Sequence, residues 1–221
     1  MEKNRAGQVI AIVALVVGVV GLSIGFAAFS NTLKIQSSAT VKADPTTFNV
    51  DFSSSNTELL TNNIVPTKYP DNVTDFIATE AKIDNSGDPT ISNLSATFTE
   101  PGQVVTYDFY AYNIGELTAY LKSIVYSNVT GGSSTKVCTA GEDTDADLVA
   151  KACEGISLSV KVGSEEETTS GIASISGHSL LKDASELVTV KLSYSSEASR
   201  ADGDFTVAFG DVSLNYSSVD K

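Results

Sequence analysis

The chain has 221 residues, 42% of them hydrophobic, and a formal net charge of −13. That length can bury one large core, and that charge repels phosphate backbones and anionic lipid headgroups, which argues against nucleic acid as a partner. Two cysteines and a single histidine are too few soft ligands for a zinc site, and no tryptophan is present to form a sugar platform.

A short basic head (Lys3, Arg5) leads into an apolar run, Val9 to Phe29, broken by Ser23 and the small residues Gly18, Gly21 and Gly25. A basic end, an apolar stretch and a small-residue exit are the parts of a secretory signal, and this run is also long enough to cross a bilayer as a helix. Cleavage is the preferred reading, after Ala27 (before Ala28) or after Ser30 (before Asn31), with retention as an anchor the alternative. Residues 31–221 are then expected as one extracellular or cell-surface domain, touching a membrane only through the apolar helix if it stays.

Beyond Asn31 the dominant signal has period two. Phe48, Val50 and Phe52 fall on one strand face, as do Leu94, Ala96 and Phe98, then Tyr107, Phe109 and Ala111. The alternation returns at Ile156, Leu158, Val160 and Val162, at Val188, Val190, Leu192 and Tyr194, and at Phe205, Val207 and Phe209. Val212, Leu214 and Tyr216 follow a Gly210-Asp211 interruption that reads as a bulge. Many short strands with one apolar and one polar face predict an all-β, antiparallel sandwich or barrel, of which the β-sandwich is the preferred reading. Turn chemistry separates them at Asn85–Pro89, Glu100–Gly102, Gly131–Ser134 and Ala201–Asp204.

One stretch after the signal reads as helix. Asp143 to Cys153 opens with acids, continues through Leu148-Val149-Ala150 and meets Gly155, the polarity a short helix prefers. Leu180-Leu181 is a weaker candidate for a further helical turn. Cys138 and Cys153 flank the helix. In an exported chain an even pair at this spacing predicts a disulfide in preference to two free thiols, and stabilises by about 3 kcal/mol in the chain-entropy view.

Several residues invite a chemical reading. Asp143, Asp145, Asp147 and Glu154 match four positions of a calcium loop, but Leu148 stands where its sharp turn needs glycine. They read better as acids at a helix N-terminus, and no metal is expected. Glu165–Glu167 reads as a solvated turn. His178 stands in Gly-His-Ser with no nucleophile-elbow pattern in the chain, so it reads as a surface loop residue without catalytic partners. Neither an enzyme nor a cofactor is expected. Asn-x-Ser/Thr triplets at Asn72, Asn93, Asn128 and Asn215 matter only in a glycosylating host.

The run Gly25-Phe-Ala-Ala-Phe-Ser-Asn31 resembles the export signal of TasA/camelysin-like proteins, a family processed by a dedicated signal peptidase. Leu94-Ser-Ala-Thr-Phe-Thr-Glu-Pro-Gly-Gln103, leading into Tyr107-Asp-Phe-Tyr-Ala-Tyr-Asn-Ile-Gly115, is similar to the family's central hairpin. Asp204 to Ser217 resembles its closing strand, whereas the Cys138–Cys153 loop has no counterpart. The resemblance implies a jelly-roll-like sandwich, secreted by bacteria and polymerised with itself into a biofilm-matrix fibre, with cell wall or matrix components as further partners. It also implies assembly by donor-strand exchange, for which Thr32 to Val41 is the candidate donor, with Leu33, Ile35, Ala39 and Val41 on alternating positions. Some relatives are described as metalloproteases; without a zinc motif here, that activity is not expected.

Two alternatives remain open. A cut between Gly7 and Gln8 would make the chain a pilin that keeps its apolar helix, although the fifth residue after that cut is Ile12 and not glutamate. A cell-surface adhesion or carbohydrate-binding module would fit the same strand pattern.

Overall fold

In the computed structural model, residues 47–141, 144–203 and 205–220 are described, and they fall within one compact unit, Ala43–Lys221. The apolar run Val9–Phe29, the cleavage candidates Ala27, Ala28, Ser30 and Asn31, the donor candidates Leu33, Ile35, Ala39 and Val41, and Asp143 lie outside the described residues. Among the described residues no helix is long and apolar enough to cross a membrane.

The body is mostly β, and its ladders are antiparallel. The larger sheet has five strands in the order β1 (Val50–Ser53), β7 (Val104–Asn113), β12 (Ser185–Tyr194), β10 (Ile156–Val162), with β2 (Thr67–Tyr69) sharing the β1 side of β7. A three-stranded sheet runs β11 (Ser179–Leu180), β8 (Ala119–Tyr126), β14 (Val212–Ser217). Three two-stranded ribbons complete it: β9 (Lys136–Ala140) with β13 (Phe205–Phe209), β3 (Ile77–Ala78) with β6 (Ala96–Thr97), and β4 (Lys82–Asp84) with β5 (Thr90–Ser92).

Period two explains the core. On β7 the residues Val105, Tyr107, Phe109 and Ala111 are buried, and Val188, Val190 and Leu192 of β12 and Val160 and Val162 of β10 meet the same cluster. Leu121 and Ile124 of β8 enter it from the second sheet. At the centre the Tyr107 hydroxyl accepts from Ser95 N (3.1 Å) and lies within donating distance of Ser95 O (2.8 Å) and Thr79 O (2.9 Å). The Pro-Gly turn is built as its residues require: Gly102 has φ +92°, and the buried Gln103 carboxamide accepts from Thr99 N at 2.7 Å.

The predicted helix forms as α1 (Ala146–Glu154), starting three residues later than the acids alone indicate. Asp145 is its N-cap, accepting from the Asp147 and Leu148 N–H groups. At the other end the Lys136 ammonium donates to Cys153 O and Ile156 O, both at 2.6 Å. Cys138 and Cys153 are disulfide-bonded with Cα atoms 6.2 Å apart, joining α1 to β9. A second, smaller cluster of Ala152, Ile156 and Tyr194, with Phe205, Val207 and Phe209 against it, lies beneath this cap.

Three expectations are corrected. Gly210-Asp211 is not a bulge within one strand: β13 pairs with β9 and β14 with β8, so the chain changes sheets there. Gly210 passes so close to the Ser127 carbonyl that no side chain fits. Leu180 belongs to β11, not to a helical turn. On β1 the polar face is not solvated. Asp51 and Ser53 are buried because the following loop folds over them, with the Ser53 hydroxyl donating to Glu58 O and accepting from Ser55 N and Leu60 N. Burial raises the Asp51 carboxyl above its ordinary range, against a lowering hydrogen bond from Asn49.

Candidate functional site

An all-β body meets partners through its strand edges, where unpaired N–H and C=O groups stand ready. Here the outer sides of β1, β10 and β8 are covered by other parts of the chain. On β1 the Asn85 carboxamide imitates a neighbouring strand, accepting from Phe52 N (3.3 Å) and donating to Phe52 O (2.8 Å). β10 is covered by Thr168, which exchanges both backbone bonds with Val160 at 2.9 Å. On β8, the side away from β14 is filled by β11, by Ile172 exchanging bonds with Ile124, and by Ile175 N donating to Lys122 O at 2.7 Å.

Among the described residues β14 is the longest strand with one side unpaired. β14 pairs with β8, and among the described residues no other strand lies against it. Its alternating Val212, Leu214 and Tyr216 pack on the core yet stay half-buried, whereas Ala119, Leu121 and Ile124 of β8 are fully buried. Among the described residues this sheet ends at β14, with that apolar row only part-covered. β13 also lies at the margin of its ribbon, but its side chains belong mainly to the small cluster under α1.

The second candidate is a cluster of ionisable groups that strand periodicity does not reveal. His178 is not a surface residue: its side chain is 7% exposed, and both ring nitrogens face carboxylates. Nδ1 lies 2.7 Å from Glu165 Oε1, while Nε2 meets Glu186 Oε2. Glu186 Oε1 accepts from the Tyr216 hydroxyl at 2.6 Å, which extends the network to β14. Burial lowers the imidazole pKa, but the hydrogen bonds and charges of Glu165 and Glu186 outweigh it and hold His178 above its ordinary value. Burial, reinforced by Glu186, pushes the Tyr216 phenol well above its usual range.

Backbone geometry makes the cluster possible. Gly163 has φ +50°, and a Cβ there would stand 2.6 Å from Glu186 Oε2 and 3.2 Å from His178 Cε1. Glu165–Glu167 is likewise more than a solvated turn. Glu167 accepts from Lys191 Nζ at 2.7 and 2.9 Å and from the Ser159 hydroxyl, and those bonds lower its pKa.

The chemistry open to this cluster is narrow. Both ring nitrogens are bonded to carboxylates, and among the described residues no nucleophilic side chain is bonded to the ring. The carboxylates face opposite nitrogens and cannot converge with the ring on one ion; no metal-ligating group of three such residues occurs among the described residues. The sequence signal for the cluster was faint: one histidine, with acids thirteen residues before it and eight after. Only the chain's return across the body brings them together.

No family model matches the chain, and neither a curated protein nor a solved structure shows significant similarity to it.

Proposed function

We infer that this chain is a secreted structural subunit that polymerises with itself into an extracellular or cell-surface fibre of a bacterial matrix. Its body is read as a jelly-roll-like β-sandwich that receives one strand from a neighbouring subunit. The open edge of β14 carries the reading: six residues of strand, with Val212, Leu214 and Tyr216 half-buried, in a body that covers its β1, β10 and β8 edges by other means. Strand addition there supplies main-chain hydrogen bonds, and the half-buried apolar row supplies pockets that set register. Residues 32–41 have the matching pattern, with Leu33, Ile35, Ala39 and Val41 at even spacing. The sequence similarity of Gly25–Asn31, Leu94–Gly115 and Asp204–Ser217 to the TasA/camelysin-like family supports the same reading, although Ala96–Thr97 pairs with β3 and not with β7, so the middle segment is a turn between sheets and not a hairpin; the reading includes no catalytic step.

The test combines N-terminal sequencing of the exported protein with electron microscopy of purified wild type and of Leu33→Lys/Ile35→Lys. Expected are a mature start at Ala28 or Asn31, filaments from wild type, and folded monomers from the double variant. A start at Gln8 would replace this reading with a pilin. Filaments formed equally well by the variant would refute donation by residues 32–41. A wild type that stays monomeric and binds glycans would favour the adhesion module.

A further inference from the structure

Residues 163–178 cross one side of the body from the larger sheet to the smaller. They begin at the end of β10, pair through Thr168 with Val160, reach β8 through Ile172 and Ile175, and end at His178, whose carbonyl accepts from Leu121 N at 3.0 Å. This strap covers the edge of β10 and helps cover that of β8. Its two ends are joined by a hydrogen bond between Glu165 near the start and His178 at the finish, with Gly163 packed beside the ring. Glu186 of β12 and, through it, Tyr216 of β14 fasten the histidine to both sheets.

We propose that His178 is a pH-sensitive clasp: doubly protonated, it holds both ends of the strap against the sheets, and loss of one proton opens the Glu165 end and loosens residues 163–178 over the edges of β10 and β8. The reason is a count of donors. An ionised carboxylate only accepts, and here each ring nitrogen faces one, so each must carry a proton. A neutral imidazole has a single N–H, so one carboxylate would face a lone pair. Glu165 lets go because its side chain is 25% exposed and can turn to water, whereas Glu186 is 11% exposed and stays tied to Tyr216. The ionisable groups bonded around the ring are Glu165 of the strap, Glu186 of β12 and, behind Glu186, Tyr216 of β14; β8 contributes the Leu121 N–H, and the turn after β10 contributes Gly163.

The sign follows from linkage. The folded-state pKa lies above the unfolded value, so the clasp is complete below about 6.5 and is lost as pH rises through the folded pKa. Because the rest of the strap is held by pH-independent contacts, including Tyr126 Oη to Thr168 O at 2.6 Å, the expected response is local loosening and not global unfolding. The device stands independently of the fibre reading.

His178 is the sole histidine, so its ring protons report its titration directly in the NMR spectrum of the full chain. Hydrogen exchange of the 163–178 amides, corrected for the intrinsic pH dependence of exchange, reads the strap. Expected are a titration above 6.5 and strap exchange that rises about tenfold for each unit of that elevation once pH exceeds it, with β7 and β12 unchanged. Glu165→Gln should lower the His178 titration and leave strap exchange already raised at pH 6. His178→Gln should remove the pH dependence if it folds; the glutamate variant decides the matter if it does not. Titration at or below 6.5, or strap exchange flat from pH 6 to 9 in wild type, would overturn the proposal.

Discussion

Opening the Cys138–Cys153 bridge puts a number on how the outer cap is held. The bond closes a loop with a sequence separation of 15 between β9 and the last turn of α1. A loop of that length restricts the unfolded chain by about 3 kcal/mol at 25 °C. For a domain of this size that corresponds to a fall in Tm of about 6–12 °C. The loss should also be local at first. α1 has nine residues, too few to persist alone in water, and apart from the bridge it is held by the Asp145 cap, the Lys136 contacts and burial of Val149 and Ala152. Calorimetry of the oxidised protein, the reduced protein and Cys138→Ser/Cys153→Ser measures the first effect, and hydrogen exchange of α1 measures the second. Intact mass should rise by about 2 Da on reduction, as two thiols replace one disulfide. A Tm that moves by less than about 2 °C, or an unchanged mass, would refute the argument. Protection of α1 unaffected by reduction would instead assign its stability to Lys136 and the small cluster beneath it.

Tyr107→Phe keeps the ring but strips a buried hydroxyl from Ser95 N and its carbonyl partners, and should cost about 1–3 kcal/mol in chemical denaturation. Leu121→Ala should cost about 2–5 kcal/mol, because Leu121 is fully buried where the two sheets meet. On the same strand Val125 is 42% exposed, so Val125→Ala should stay within about 0.5 kcal/mol; equal costs would mean that β8 is turned the other way. Gly163→Ala forces a left-handed backbone on alanine and pushes a methyl against Glu186, costing about 1–2 kcal/mol. The same variant should lower the His178 titration, read by NMR, because the displaced carboxylate is one of its two partners. Asn85→Ala removes both bonds that close the β1 edge and should cost about 1 kcal/mol by thermal denaturation, with self-association through β1 as an accompanying result.

Where one face of a strand meets the core, alternation showed it in the residue order. Tyr107, Phe109 and Ala111 on β7, and Val188 through Tyr194 on β12, are buried at the positions their spacing indicates. β8 escaped the same reading for a physical reason. Its pairing with β14 shifts register between Asn215 and Tyr216, leaving Lys122 unpaired, so the buried residues Leu121 and Ile124 stand three apart and break the period. The short ribbons β3–β6 and β4–β5, two and three residues long, are below the length at which alternation can be recognised.

By itself the sequence determined the antiparallel β character of this protein, where several of its turns fall, the short capped helix and the pairing of its two cysteines, because each of these depends on neighbours within a few residues or on the lack of any other partner. Only the tertiary structure decided that Asp51 is buried, that Gly210 marks a change of sheet, that β14 has a single strand neighbour among the described residues, and that His178 sits between Glu165 and Glu186. Those properties depend on which distant segments fold against one another, and the order of strands across a sheet leaves no periodic trace along the chain.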